Sequence, residues 1–239
     1  MKMEICEEKY MYITERLDKE TARDYALRIL KDNIIRIELE PGSMISEKEI
    51  ATELGLSRTP IREALIELSK SQIVEIFPQR GSRIALIDYD LVEEAYFARV
   101  VMEKAIVELA CEKATDKDLL TLEENLMLQE FYLNNTDSFK LLELDNEFHM
   151  KLFQICNKKQ CYEMVRSMSV HFDRVRSLSL RSSRYTGRVE EHRAIVNAIK
   201  ERNPELAKEI IQKHISSYVV DEKDICEKYP NYIKGYNKA

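Results

Sequence analysis

Between Ser46 and Leu68 two helical patterns meet across one glycine, and that junction restricts the first third of the chain to a pair of short crossed helices. Ser46-Glu47-Lys48-Glu49 reads as a capping box, in which the Ser46 hydroxyl takes the Glu49 amide and the Glu49 carboxylate reaches back. The helix that follows stops at Gly55, a residue suited to the left-handed position past a helix end. A second helix opens almost at once at Ser57-Arg58-Thr59-Pro60. Ser57 or Thr59 serves as N-cap and Pro60 suits the first turn. Ile61, Ala64, Leu65 and Leu68 form its buried stripe.

The flanks extend this unit. Ala22, Ala26, Ile29, Leu30, Ile34 and Ile37 recur at helical steps from Thr21 until Pro41-Gly42 ends the pattern. Two apolar runs, Ile73 to Phe77 and Arg83 to Ile87, enclose Pro78-Gln79-Arg80-Gly81-Ser82 and predict a β-hairpin with a basic tip. Residues 1–15 carry mixed charge without a period and are expected to form a mobile arm. Residues 16–87 are then a winged helix-turn-helix. From Asp88 onward only helical patterns occur, in six segments near 88–114, 116–134, 137–156, 159–181, 186–202 and 204–227. Asp137, Thr186 and Asn203-Pro204 punctuate them. The expected fold is mainly α: a winged helix-turn-helix followed by an all-α bundle over 88–239. With only 5 Gly and 5 Pro in 239 residues, composition agrees.

Composition also narrows function. A net charge of -6 is no general affinity for nucleic acid, so any DNA site is a local patch on an acidic protein. The five Cys are odd in number and include no C-x-x-C pair, which points to reduced thiols rather than a disulfide framework. The N-terminus lacks the apolar run of a signal peptide, and no stretch reaches the roughly 18 to 20 apolar residues of a membrane span. A cytoplasmic protein with no membrane partner is expected.

The local patch lies at the start of the second short helix. Such a helix enters the major groove N-terminus first. Arg58 and Arg62 stand one turn apart there, and Arg is shaped for the guanine N7 and O6 acceptors. Ser57, Thr59 and the free amides at the helix start suit a phosphate. Arg80 occupies the hairpin tip, where a wing meets the minor groove, and Gly81 allows close backbone approach. A solvated basic helix end is the alternative reading. The segment from Pro41 through Glu47–Leu54, Gly55 to Leu65 and Pro78-Gln79-Arg80-Gly81 resembles the GntR family of bacterial regulators. The run Ser57-Arg58-Thr59-Pro60-Ile61-Arg62-Glu63-Ala64-Leu65 is the specific part. The resemblance implies base or phosphate contacts from Arg58, Thr59 and Arg62, backbone contacts from Ser57 and Lys48, and Arg80-Gly81 in the wing. Ile37 and Gln72 depart from it, since the family usually has Gly at both places.

All four His fall in the helical part. Leu141, Leu142, Asp145, Phe148, His149, Leu152 and Phe153 share one stripe, so Asp145 and His149 lie i, i+4 on an apolar face. His192 falls in the row Val189, His192, Val196, Ile199. His214 falls in the row Ala207, Ile210, Ile211, His214, Tyr218. Polar groups on buried stripes need partners. Three imidazoles and one carboxylate converging in a bundle match a divalent transition metal, zinc first and nickel or manganese as alternatives. Core histidines bonded to carbonyls are the competing reading.

Residues 88 to about 226 resemble the FCD domain, the sensor of the FadR branch of the same family, in its shorter, six-helix form. The matching residues are Arg99-x-x-x-Glu103, Asp145-x-x-x-His149, Glu191-His192 with Ala198-Ile199, and Ala207 followed by His214. The resemblance implies that Asp145, His149, His192 and His214 hold a metal and that a small organic acid completes its coordination. Arg99 and His171 are the candidate effector contacts. Arg99 instead pairs with Glu103, or His171 packs as a plain ring, in the alternative readings. A homodimeric repressor on a palindromic operator is the expected activity. A metal-assisted hydrolase on the same cluster is the rival; neither an H-E-x-x-H motif nor an evident general base supports it.

Overall fold

The computed structural model describes residues 11–134, 138–180, 187–216 and 222–236. The chain divides into two compact units, Met1–Ile87 and Asp88–Ala239.

In the first unit, helix α1 (Ala22–Ile35) starts where the Thr21 hydroxyl accepts the Asp24 amide at 3.1 Å. It buries Ala26, Ile29, Leu30 and Ile34 against α3. Helix α2 (Glu47–Glu53) is capped by the Ser46 hydroxyl, which accepts the Glu49 amide at 3.4 Å. Gly55 follows at φ +63°, a left-handed turn that admits glycine freely. Helix α3 (Arg58–Lys70) then begins after Ser57 and buries the expected Ile61, Ala64, Leu65 and Leu68. The hairpin is present as β2 (Val74–Phe77) and β3 (Gly81–Ile84). Gly81, expected in the tip, already pairs with Phe77. A two-residue strand β1 (Met44–Ile45), too short to leave a period in the sequence, pairs antiparallel with β3 and completes a sheet of order β1-β3-β2.

The arm expected over 1–15 requires correction in its last part. Residues 1–10 lie outside the described residues. Residues 11–15 are extended and tied down: the fully buried Asn33 side chain accepts the Tyr12 amide at 2.6 Å and donates to the Tyr12 carbonyl at 2.9 Å. The Met11 amide donates to Glu53, and Tyr25 Oη donates to the Thr14 carbonyl.

The second unit is a bundle of α4 (Tyr89–Lys113), α5 (Asp116–Asn134), α6 (Ser138–Ile155), α7 (Lys159–Met168), α8 (Val170–Leu180), α9 (Arg188–Lys200), α10 (Pro204–Ser216) and α11 (Glu222–Lys228). Helix α4 is its spine and packs on α6 through α10. Among the described residues there are eight helices where six segments were expected. The fourth segment breaks at Ser169, whose hydroxyl donates back to the Val165 carbonyl at 2.6 Å and helps end α7. The sixth is described over Pro204–Ser216 and Glu222–Lys228; residues 217–221, like Asp137, residue 181 and Thr186, lie outside the described residues.

Candidate metal centre

Three helices present the predicted ligand set to one point. Asp145 and His149 come from α6, His192 from α9 and His214 from α10. All four are buried, and one ligand atom from each lies within 4.8 Å of the others. His149 Nε2 stands 3.5 Å from Asp145 Oδ2, His192 Nε2 3.7 Å from Asp145 Oδ1, and His192 Nε2 only 3.1 Å from His214 Nε2.

The ring protons follow from the partners behind each imidazole. Behind His192 runs a relay that starts at the main chain. Asn125 Nδ2 donates to the Leu144 carbonyl at 3.2 Å, so Asn125 Oδ1 is left to accept from Gln129 Nε2 at 2.6 Å. Gln129 therefore turns its oxygen to His192 Nδ1, 2.8 Å away, and that nitrogen must carry the proton. Behind His214, the Glu191 carboxylate accepts from Nδ1 at 2.9 Å. Behind His149, Glu103 Oε2 lies 2.6 Å from Nδ1, while Arg99 Nε donates to Glu103 Oε1 at 2.8 Å. With the Nδ1 atoms protonated, His192 and His214 face each other with two Nε2 lone pairs and no proton between them. Neither ring nitrogen of the buried His149 makes a well-formed hydrogen bond: Nδ1 has only its close charge contact with Glu103, and Nε2 has no hydrogen-bond partner.

Electrostatics hold His192 and His214 neutral. Burial, and then the neighbouring imidazole, pushes both His192 and His214 well below the usual histidine value, so neither is a cation near neutrality. Burial alone would raise the Asp145 carboxyl, but the Arg176 guanidinium outweighs it and holds Asp145 well below the usual range. Glu103 behaves likewise, with burial opposed by Arg99 and His149. Burial raises Glu191, opposed by Arg188. The donors are thus imidazole nitrogens of His149, His192 and His214 and one carboxylate, with a polar side chain behind each ring. That is the donor chemistry of a divalent transition metal, and such a cation would also engage His149 Nε2, which has no hydrogen-bond partner.

Arg99 forms the Glu103 ion pair considered as its alternative role; it is 4% exposed, and its Nη1 has no hydrogen-bond partner. His171 is not one of the four clustered ligands; it is buried on α8, and its Nδ1 accepts the Asp88 amide at 3.1 Å. Asp88 is the N-cap of α4 and also pairs with Lys234.

Sequence reasoning missed Gln129, Arg176 and Asp173. Arg176 bonds Asp145, Asn146 and Asp173 together from α8. Gln129 was within reach, since Leu122, Asn125, Leu126 and Gln129 form a buried row with two polar members, the same signal that exposed Asp145 and His149. Arg176 and Asp173 left no such signal, because every residue of α8 is buried and a helix covered all round has no polar face to set against an apolar one.

At the other unit, Lys48, Ser57, Arg58, Thr59, Arg62, Arg80 and Gly81 are all exposed. Among the described residues, neither Arg58 nor Arg62 enters an ion pair.

Comparison with known proteins supplies the lineage. Residues 24–84 match the family model "Bacterial regulatory proteins, gntR family", and residues 94–217 match the FCD domain. The chain is 30% identical over 189 residues to the HTH-type transcriptional repressor RspR of Escherichia coli, covering 79% of this chain and 83% of that protein. It is 30% identical over 213 residues to the uncharacterized regulator YdhC of Bacillus subtilis, covering 84% and 91%. Among solved structures, E. coli McbR/YncC shares the fold with a TM-score of 0.75 at 20% identity, over 87% of this chain and 99% of that one. These relatives are regulators of transcription rather than enzymes. No helix among the described residues is long and apolar enough to cross a membrane. The chain belongs to the GntR family of helix-turn-helix transcription regulators, in the FadR-like branch that carries an FCD domain.

Proposed function

We propose that this regulator is a cytoplasmic repressor whose hold on a palindromic operator is set by a small organic acid bound at a metal in the helical unit. Residues 16–87 read DNA, and residues 88–239 sense the effector and form the dimer. The observation that carries the sensing half is the meeting of the His192 and His214 lone pairs at 3.1 Å beside Asp145 and the unsatisfied His149 Nε2. Asp145, His149, His192 and His214 hold the metal, with zinc the first choice for this donor set. When bound, the metal offers open positions to a carboxylate. Arg58 and Arg62 contact guanine, Thr59, Ser57 and Lys48 hold phosphates, and Arg80 and Gly81 follow the minor groove. The repressor sense rests on the name of the E. coli relative. A second copy covers the exposed apolar patch of α4 and α7, where Phe97, Val101 and Met168 line one surface with Phe97 68% exposed.

Fluorescence anisotropy on a duplex that the protein selects from random sequence tests the whole reading at fixed salt. Arg58→Ala and Arg62→Ala each weaken specific binding by roughly 1–3 kcal/mol. Zinc-loaded and metal-free protein differ in their response to organic acids. Unchanged affinity in both variants, or one affinity whatever the metal and acid, overturns the proposal.

A further inference from the structure

A cavity of about 300 Å³ opens between α4, α8 and the C-terminal α11, and none of the four clustered metal ligands lines it. Its walls are aromatic: Tyr89 and Tyr96 come from α4 and Phe172 from α8. Its charged lining is acidic throughout, with Asp90 and Glu93 from α4 and Glu222 from α11, and no Lys, Arg or His joins them among the described residues. Two basic groups close to these walls are committed to other acids. Arg99, whose guanidinium lies 5.1 Å from the Phe172 ring centre, pairs with Glu103 at 2.8 Å, and Lys234 pairs with Asp88 at 2.6 Å.

The start of a helix attracts an anion through its free amides. At α4 three amides there are already spent. The Asp88 amide donates to His171 Nδ1 at 3.1 Å, the Asp90 amide to Asp88 Oδ1 at 3.2 Å, and the Val92 amide to the Asp88 carbonyl at 3.1 Å. Tyr96 adds an acceptor instead. Ser216 Oγ gives its proton to the Gln212 carbonyl at 2.7 Å, so in the 2.8 Å contact between Ser216 Oγ and Tyr96 Oη the tyrosine donates and keeps lone pairs on its oxygen. Aromatic faces attract a cation through their π-electrons and the carboxylates attract it by charge, whereas an anion meets three like charges.

The lining is also particular to this chain. Tyr89, Asp90, Val92, Glu93 and Glu222 fall outside both matched stretches, residues 24–84 and residues 94–217, so they belong to neither domain's shared pattern. We infer that this cavity is a second ligand site, apart from the metal centre, and that it takes an organic cation. The ammonium sits at Glu93 and Glu222, and its apolar body lies against Tyr89, Tyr96 and Phe172.

Calorimetric titration of the full-length protein at fixed ionic strength tests this. It compares phenethylamine with its neutral counterpart phenethyl alcohol and its acidic counterpart hydrocinnamate, with choline as a second cation. Phenethylamine is expected to bind tenfold or more tighter than either counterpart, with and without added zinc alike. The double variant Glu93→Gln, Glu222→Gln changes two exposed positions, so the fold is retained, as circular dichroism checks. It weakens the amine tenfold or more and leaves the alcohol unchanged. An alcohol or acid that binds as well as the amine, no binding by either cation, or undiminished amine binding in the folded double variant overturns the inference. Amine binding that depends on zinc places the amine at the metal centre and overturns it as well.

Discussion

Gln72 lies at φ 58° and Ile37 at φ 60°, in the left-handed region that costs an L-residue with a side chain about 1–2 kcal/mol. These are the two positions where family members usually have Gly, and the backbone explains the preference. Each follows a helix directly, Ile37 just past α1 and Gln72 just past α3, where the chain reverses and the last carbonyls of the helix need amides. The Ile37 side chain is buried at 3% exposure, so burial offsets its strain. Gln72 is exposed and has no such return. Gln72→Gly is expected to stabilise the first unit by about 1 kcal/mol, read as a higher denaturant midpoint with unchanged slope. A lower midpoint removes the strain argument. The hairpin turn likewise holds Gln79 at φ 63° and Gly81 at φ +98°, where a β-carbon on residue 81 would meet the Ile45 carbonyl at 3.4 Å.

Elements differ in how openly the sequence declares them. Helix α2 announced both its ends and α1 its start, because Thr21, Ser46 and Gly55 act through local hydrogen bonds or local φ preferences that need nothing from the rest of the chain, whereas α1 stops at Ile35, short of the Pro41-Gly42 stop that the pattern suggested, since Ile37 turns left-handed and buries its side chain outside the helix. The ligand rows on α6, α9 and α10 were legible for the opposite reason: a polar side chain on an apolar stripe contradicts its surroundings. The α7–α8 break was not legible, since Ser169 ends a helix through a back-bond that serine makes in intact helices as well. The two-residue β1 is held by its pairing with β3 rather than by any pattern of its own. The groups behind the ligands repeat this division, with Gln129 recoverable and Arg176 hidden. If Gln129 orients His192 for a metal, Gln129→Leu lowers zinc affinity by about 10–100-fold while the fold is retained, whereas Gln129→Glu, which keeps an acceptor, loses much less. Competition with a chromophoric chelator measures both, and equal affinities in the two variants disprove the orienting role.

For the whole molecule, the consequential surface is the α4–α7 face. An exposed Phe97 flanked by Val101 and Met168 is a larger apolar patch than a lone surface residue and suits a self-complementary contact. Phe97→Glu is expected to shift the chain from dimer to monomer at micromolar concentration in sedimentation velocity. Operator affinity then falls steeply, because two linked reading heads bind far better than one. A variant that remains dimeric places the interface elsewhere, for example on the exposed Met127, Leu128 and Phe131 of α5.

The relay behind His192 begins at a main-chain carbonyl, an acceptor that does not titrate in the physiological range. Asn125 and Gln129 read the sense of that carbonyl and hand it on unchanged. The face that His192 turns toward its neighbours is therefore written into the peptide backbone of α6 at Leu144, and no carboxylate has to gain or lose a proton to maintain it. Acidifying the medium can disarm this ring only by protonating the ring itself.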